Sequence, residues 1–566
     1  MDHGGKDYRS YRAKNFTQFI ERKRMQQIIE NKRLQQKTTK SQIMLFMRKS
    51  RDSRKTNHCF FQAALKVLFL SPQMSARKGI KEFGERAIAA MIKEFTQLDQ
   101  GAFPGKPVVE PVDYSTLTEE EKAMAMDAIN LIKEKRGGTV KGRTCANGSK
   151  QRKYLKEDES VASPTVSNEG IIGTFMMDAY EELEVGIFDI PGAYLHAKME
   201  HKKDHRILLV LQYKFVDMMC DVNPKYLPFV QIINGRKVLY LKILRALYGC
   251  IESALLWYQL FSSTLVSMGF EINPYDQCVA NKTIDGEQCT ITWYVDDAKI
   301  LHKSKKVVTG VFNEIQKHFG EMDITYGDTH KYLGMKICIK NKKVTIDMRD
   351  QINELINFFD DNISGTVASP ANKNLMNVDP DSKLLCSKKR ENFHSTTAKL
   401  LYLVKRARPD MELVTTFMTS RVSNPTEEDW RKLTRALTFL QQTCDDLRVI
   451  GCENLESVYT WIDAAYAVHP NMRSQTGGTF SMGWGSIHSK SSKQKLNTKS
   501  STESELVGMS DYLPYNIWWI NFLGAQGYKV TNNVIYQDNQ SAIRMEKNGR
   551  NSCTGNSRHI DIRYFL

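Results

Sequence analysis

Trp293-Tyr294-Val295-Asp296-Asp297 is an apolar strand that ends in two adjacent carboxylates. Two neighbouring like charges cost free energy unless something cationic sits on them. Taken alone, such a pair is more often a solvated turn. The reading changes because Val185-Gly186-Ile187-Phe188-Asp189-Ile190 is another apolar strand interrupted by a single Asp. On neighbouring strands, Asp189, Asp296 and Asp297 could share two Mg²⁺ ions, or Mn²⁺ in their place. Two divalent ions about 3.5 to 4 Å apart, held by oxygen ligands, serve in-line phosphoryl transfer.

The surrounding composition fits a large polyanionic partner. The chain has 566 residues, 41% of them hydrophobic, which is enough for real cores and at roughly 150 residues per domain allows several domains. Its formal charge is +16 and its pI about 9.1, a balance that favours nucleic acid. Residues 1–60 hold 16 Lys/Arg against 5 Asp/Glu, so residues 1–70 are read as a basic arm without a core. No apolar run approaches the ~20 residues of a membrane span, and no membrane association is expected. The 11 cysteines are scattered with no C-x-x-C pair, as in reduced cytosolic or nuclear proteins.

Helical spacing marks residues 76–98, and Thr118 with Glu121 forms a capping box. From that box a helix is expected to run along Ala125, Ala128, Ile129 and Ile132 to a stop at Gly137. Short strand-like runs follow from Val185 onward, with helices at 250–268 and 306–319 between them, which makes an α+β domain. Residues 350–445 read as mainly helical. Strand signals return at 458–463, 478–484 and 533–537 around a helix at 502–524.

That last unit carries its own acids. Val458-Tyr459-Thr460-Trp461-Ile462-Asp463 delivers one carboxylate at a strand, and Ser501-Thr502-Glu503-Ser504-Glu505-Leu506 opens a helix. Ile535-Tyr536-Gln537-Asp538-Asn539 ends another strand, and His559-Ile560-Asp561 lies near the end of the chain. Singly, each acid is more often a cap or a solvated charge. Glu503 and Glu505 are about 200° apart on a helix, so only one can face a shared site.

As an ordered set these segments resemble the reverse transcriptase and RNase H region of copia-type LTR retrotransposon polyproteins. The resemblance rests on Asp189 with Tyr194, Leu247-Tyr248-Gly249 with Trp257-Tyr258, Tyr294 to Asp297, Tyr332-Leu333-Gly334 and Arg408-Pro409-Asp410. Lys141 to Ala146 is similar to that family's fingers segment, and Ser474 to Gly478 with Ser489-Lys490 to its nuclease. It implies a right-hand polymerase fold of fingers, palm and thumb followed by an RNase H-like α/β domain. The expected segments are 71–345 for fingers and palm, 346–453 for a helical thumb or connection, and 454–566 for the nuclease. Asp561 lies close to the end of the chain, where the family usually continues its last helix, so that domain is expected to be truncated.

The resemblance also implies roles. Asp189, Asp296 and Asp297 would bind one pair of Mg²⁺ ions, and Asp463, Glu505, Asp538 and Asp561 another. Glu505 is preferred over Glu503 because Leu506 reproduces the family's Glu-Leu step. Tyr194 would lie under the incoming sugar and exclude a 2′-hydroxyl, with Lys141 and Arg143 on the triphosphate. The implied partners are an RNA template, a DNA primer, deoxynucleoside triphosphates and the RNA-DNA hybrid, with a dimer or an integrase association open. The implied location is a cytoplasmic virus-like particle and the nucleus. The alternative reading is a decayed or co-opted retrotransposon fragment that binds nucleic acid without catalysis.

Overall fold

The computed structural model describes residues 74–103, 105–134, 137–153, 161–200 and 206–548. The basic arm and Asp561 lie outside them. No helix among the described residues is long and apolar enough to cross a membrane.

The first layer packs the helices Ala76–Phe83 and Glu85–Gln100 against a seven-stranded sheet. The helix expected from Thr118 to Gly137 does not form. The capping box is present, with Glu121 N–H donating to Thr118 Oγ1 at 3.1 Å and Thr118 N–H donating to Glu121 Oε2 at 3.0 Å, but it opens only the short helix Glu119–Met124. Residues Met126–Glu134 then run as a strand, paired antiparallel with Val140–Ala146 and parallel to Leu208–Gln212. The pairing has a physical cause. The period-2 reading buries Met126, Asn130 and Ile132, whereas the helical reading needs Ile129, which is 41% exposed. Gly137 and Gly138, both at positive φ, belong to the hairpin connection and not to a helix end.

The second layer is built on helix α1 (Asn168–Glu181), whose first turn is capped by Ser167 accepting from Gly170 N–H at 2.9 Å. Strand β1 (Glu184–Asp189) follows, then helix α2 (Ser253–Ser267) and strands β2 (Val279–Ile284), β3 (Glu287–Tyr294) and β4 (Asp297–His302). Helix α3 (Lys305–Phe319) and strand β5 (Ile324–Tyr326) complete it. The six-stranded sheet has the order β5-β1-β4-β3-β2 with Glu271–Ile272 at its far edge. The middle of the sheet is buried and apolar, through Val185, Phe188, Ile291, Trp293, Ala298 and Ile300, and Trp257, Phe261 and Phe312 pack into the same core.

Helices dominate the next stretch, with Arg349–Phe358, Ser387–Val404, Glu412–Arg421 and Glu427–Gln442. A five-stranded sheet ties this stretch to both neighbours: Thr329–Tyr332, Met335–Lys340 and Lys343–Asp347 pair on to Arg448–Cys452 and then Gly483–Trp484. The last unit is a four-stranded sheet of β6 (Ser457–Ala465), β7 (Gln475–Ser481), β8 (His488–Lys493) and, beyond helix α4 (Ser501–Ala525), β9 (Asn532–Tyr536). Its order is β8-β7-β6-β9, antiparallel except for the parallel pair β6 and β9.

Two candidate carboxylate sites

At the first site, antiparallel pairing of β1 with β4 places Asp297 directly opposite Asp189, so the two carboxylates leave neighbouring strands side by side. Tyr294 and Asp297 close the β3–β4 hairpin, leaving Val295 and Asp296 as its two-residue turn. Val295 has φ +61°, the pattern of a II′ turn, where glycine is the usual occupant. A β-branched residue there stores on the order of 1–3 kcal/mol of strain. Two bonds from outside the hairpin hold it. The Trp257 indole N–H donates to Val295 O at 2.7 Å, and Ile190 N–H donates to Asp296 O at 3.0 Å.

Arg143 and Lys141 offset part of the charge at this site. Burial first, and then Asp296 and Asp189, push the Asp297 carboxyl up to about 7. Asp296 is also raised, by burial and then by Asp189, with Arg143 and Lys141 pulling the other way. Three carboxylates brought to one end of the sheet match the donor set of hard divalent cations. The oxygens of Asp189, Asp296 and Asp297 are nevertheless not drawn together as tightly as those of the second site, described below.

The sequence-predicted nucleotide residues gather around Asp296. Lys141 and Arg143 alternate along Val140–Ala146 and so share one face of that strand. The Arg143 guanidinium lies 4.3 Å over the ring of Tyr248, and that ring is 4.8 Å from the ring of Tyr194. Gly192, at φ +63°, begins the short helix Ala193–His196 that carries Tyr194. Burial and the nearby Asp296 raise the Tyr194 phenol to about 12, so it stays neutral. Tyr248 and Trp257 fall within motifs legible in the sequence, but only the fold shows one bridging Arg143 to Tyr194 and the other bonded to the turn.

At the second site, Asp463 on β6, Glu505 on the first turns of α4 and Asp538 just beyond β9 converge. Their carboxylate oxygens all lie within 4.8 Å of one another, the one such group of three among the described residues. Glu505 is 5% exposed, accepting from Ala464 N–H at 3.2 Å and from Gln537 Nε2 at 3.0 Å. Burial raises its carboxyl, and Asp463 and Asp538 add to that shift. Glu503 points elsewhere: its Oε2 accepts from Lys499 N–H at 2.7 Å at the helix start. A groove of about 840 Å³ leads to the acids, lined by Gln475, Lys490 and the stacked rings of Trp461 and Tyr536.

Residues 115–373 match the family model described as reverse transcriptase (RNA-dependent DNA polymerase). The chain is similar to the retrovirus-related Pol polyprotein from transposon TNT 1-94 of Nicotiana tabacum, 26% identical over 436 residues that make up 75% of this chain and 31% of that protein. It is also similar to the transposon Ty1-LR2 Gag-Pol polyprotein of Saccharomyces cerevisiae, 22% identical over 459 residues, or 77% of this chain and 24% of that one. Among solved structures it is similar to the foamy viral protease-reverse transcriptase in complex with double-stranded DNA, at 12% identity and TM-score 0.40, covering 76% of this chain and 67% of that chain. The chain thus spans less than a third of the length of the curated relatives it matches.

Proposed function

We propose that this chain copies RNA into DNA at Asp189, Asp296 and Asp297, a reading supported by the match of residues 115–373 to the reverse transcriptase family model and by the similarity to retrotransposon Pol polyproteins. We further propose that its last unit is an RNase H domain that cuts the RNA of the resulting hybrid at Asp463, Glu505 and Asp538, with Asp561 as a fourth acid. The observation that carries the polymerase reading is the register of Asp189 against Asp297, with Asp296 on the turn between β3 and β4.

In this reading Asp189, Asp296 and Asp297 hold a pair of Mg²⁺ or Mn²⁺ ions. When bound, such a pair lowers the pKa of an attacking hydroxyl and stabilises the leaving oxygen of an in-line displacement. The protein's own residues do the positioning. Tyr194, backed by Tyr248, forms the floor under the deoxyribose. Arg143 and Lys141 face the triphosphate and offset the charge of Asp296. The basic balance of the chain holds phosphate backbones without reading sequence.

The nuclease reading is supported by a sheet of three antiparallel strands with a fourth parallel to the central β6, and by three acids meeting at its edge. Lys490 and Gln475 line the approach to those acids. A hybrid differs from duplex DNA there by its groove shape and its 2′-hydroxyls. The direct test is primer extension on an RNA template with Mg²⁺ or Mn²⁺. Extension by the wild type and its loss in Asp296→Asn are expected, and wild-type extension by that variant would rule the assignment out.

A further inference from the structure

We propose that Trp257 is a positioning residue: its indole N–H holds the strained Val295–Asp296 turn in the one form that aims Asp296 at the reacting phosphate. The inference rests on the polymerase reading above for its chemistry, but its structural half stands apart from it.

Val295 at φ +61° is a β-branched residue in a conformation that L side chains avoid, so the turn does not keep this form by its own preference. Something outside the hairpin must over-determine it. The two turn carbonyls each have one anchor. Ile190 N–H takes Asp296 O, and that anchor is a backbone group which no substitution short of proline removes. Val295 O is taken by Trp257 Nε1 at 2.7 Å, a side-chain anchor. If that bond is lost, Val295 is free to relax toward negative φ, and the peptide that joins it to Asp296 turns with it. Asp296 moves with it, whereas Asp297 stays fixed in its ladder with Asp189.

The indole is itself held rigidly, as an anchor must be. Trp257 is 1% exposed, stacked on Phe261 with centroids 5.4 Å apart and met edge-on by Phe319 at 5.3 Å. The ring of His196 lies 6.2 Å from it on the short helix that also carries Tyr194. Trp257 therefore sits between the turn that presents Asp296 and the helix that presents Tyr194.

The test is a double-mutant cycle on the full chain with Trp257→Phe and Val295→Gly. Phe keeps most of the aromatic packing and deletes only the donor, whereas Gly accepts positive φ without help. In primer extension, Trp257→Phe is expected to lower kcat about tenfold while the KM for deoxynucleotide stays within about twofold, since a misplaced reacting group costs rate more than binding. In the Val295→Gly background the same substitution should cost less than about threefold, measured against Val295→Gly itself. The melting temperature reads the same coupling without any activity. Trp257→Phe should lower it by about 1–2 °C, and by less than half of that when residue 295 is Gly. Equal losses in both backgrounds, or full activity in Trp257→Phe, would overturn the proposal. Should Trp257→Phe fail to fold, Val295→Gly alone decides the strain: an unchanged or raised melting temperature supports it, and any fall beyond the error of the measurement refutes it. If the wild type extends no primer, the polymerase reading fails and the melting cycle alone judges Trp257.

Discussion

Gly173, in the middle of α1, lies so close to the indole of Trp519 on α4 that a Cβ added there would sit 2.2 Å from Cη2. Only glycine permits this approach, and it joins the helix beneath the first carboxylate site to the helix that opens the second. Polar contacts surround the joint. The Trp518 indole donates to Tyr275 O at 2.9 Å, and Gln288 Nε2 donates to Gln526 O at 3.2 Å. Trp519 is fully buried and shares one apolar core with Phe175 and Met176.

Gly173→Ala should therefore destabilise the chain, although alanine is the better helix former. Overpacking of this kind costs about 1–3 kcal/mol, read as a lower melting temperature. Gly310, in α3, has nothing within 4 Å of its added Cβ, so Gly310→Ala should leave stability unchanged or raise it by up to about 1 kcal/mol. If the two substitutions behave alike, close packing at Trp519 is not what holds Gly173.

How far the sequence disclosed this structure depends on the range of each interaction. Local patterns spoke clearly for the Thr118–Glu121 box, the apolar strand ending at Asp189 and the helix expected at 306–319, which runs Lys305–Phe319, whereas the strand expected to end in Asp296 and Asp297 stops at Tyr294, and Asp297 opens the next one. The segment after Met124 misled because Ala128 and Ile132 satisfy a strand period as well as the helical one that adds Ile129, and the strands Val140–Ala146 and Leu208–Gln212 that decide between them lie further along the chain. The separation of Glu505 from Glu503 was half legible, since the 200° argument says only one can face the site, while the bonds to Ala464 and Gln537 say which. Nothing local announced the Trp257 bond to Val295 or the Gly173 approach to Trp519, because both depend on where distant helices pack.

Tyr194 offers a test of the nucleotide reading. Its ring is backed by Tyr248 at 4.8 Å, so a planar surface faces the space beside Asp296. Tyr194→Val should remove that floor and raise ribonucleotide incorporation relative to deoxynucleotide, by about tenfold or more if a single steric contact supplies the discrimination. An unchanged ratio in single-nucleotide extension would make Tyr194 a packing residue only.

The capping box gives a pH-dependent prediction. Arg206 grips Glu121 through Nε to Oε1 at 2.6 Å and Nη2 to Oε2 at 2.7 Å, and this pairing is the main reason that the Glu121 carboxyl is held down at about 2 against the usual 4.5. A depressed folded-state pKa adds stability above the unfolded value, and that stability is lost as pH falls through 4.5 toward 2. Arg206→Met should cost on the order of 2 kcal/mol near neutral pH, with the difference from wild type shrinking in acid. Melting curves from pH 7 to pH 3 read this directly, and a constant difference across that range would rule the linkage out.

The last prediction is that the two carboxylate sites fail separately although they share one core. Asp463, Glu505 and Asp538 gather on the last sheet and α4, and Asp189, Asp296 and Asp297 on β1, β4 and the turn before it, so no acid serves both. Asp538→Asn removes a charge from an exposed position and leaves every contact between α1 and α4 in place. It should leave primer extension within about twofold of wild type while the RNA of a labelled RNA-DNA hybrid survives, since losing one carboxylate weakens one metal pair only. Asp189→Asn should do the reverse, cutting the hybrid without extending the primer. Gly173→Ala acts on the joint and not on either site, so its effect on the two activities should be parallel and follow the loss of folded protein. An assay with the RNA and DNA strands labelled separately distinguishes these outcomes: loss of both activities in Asp538→Asn, with circular dichroism and melting temperature unchanged, would mean that the two sites act as one.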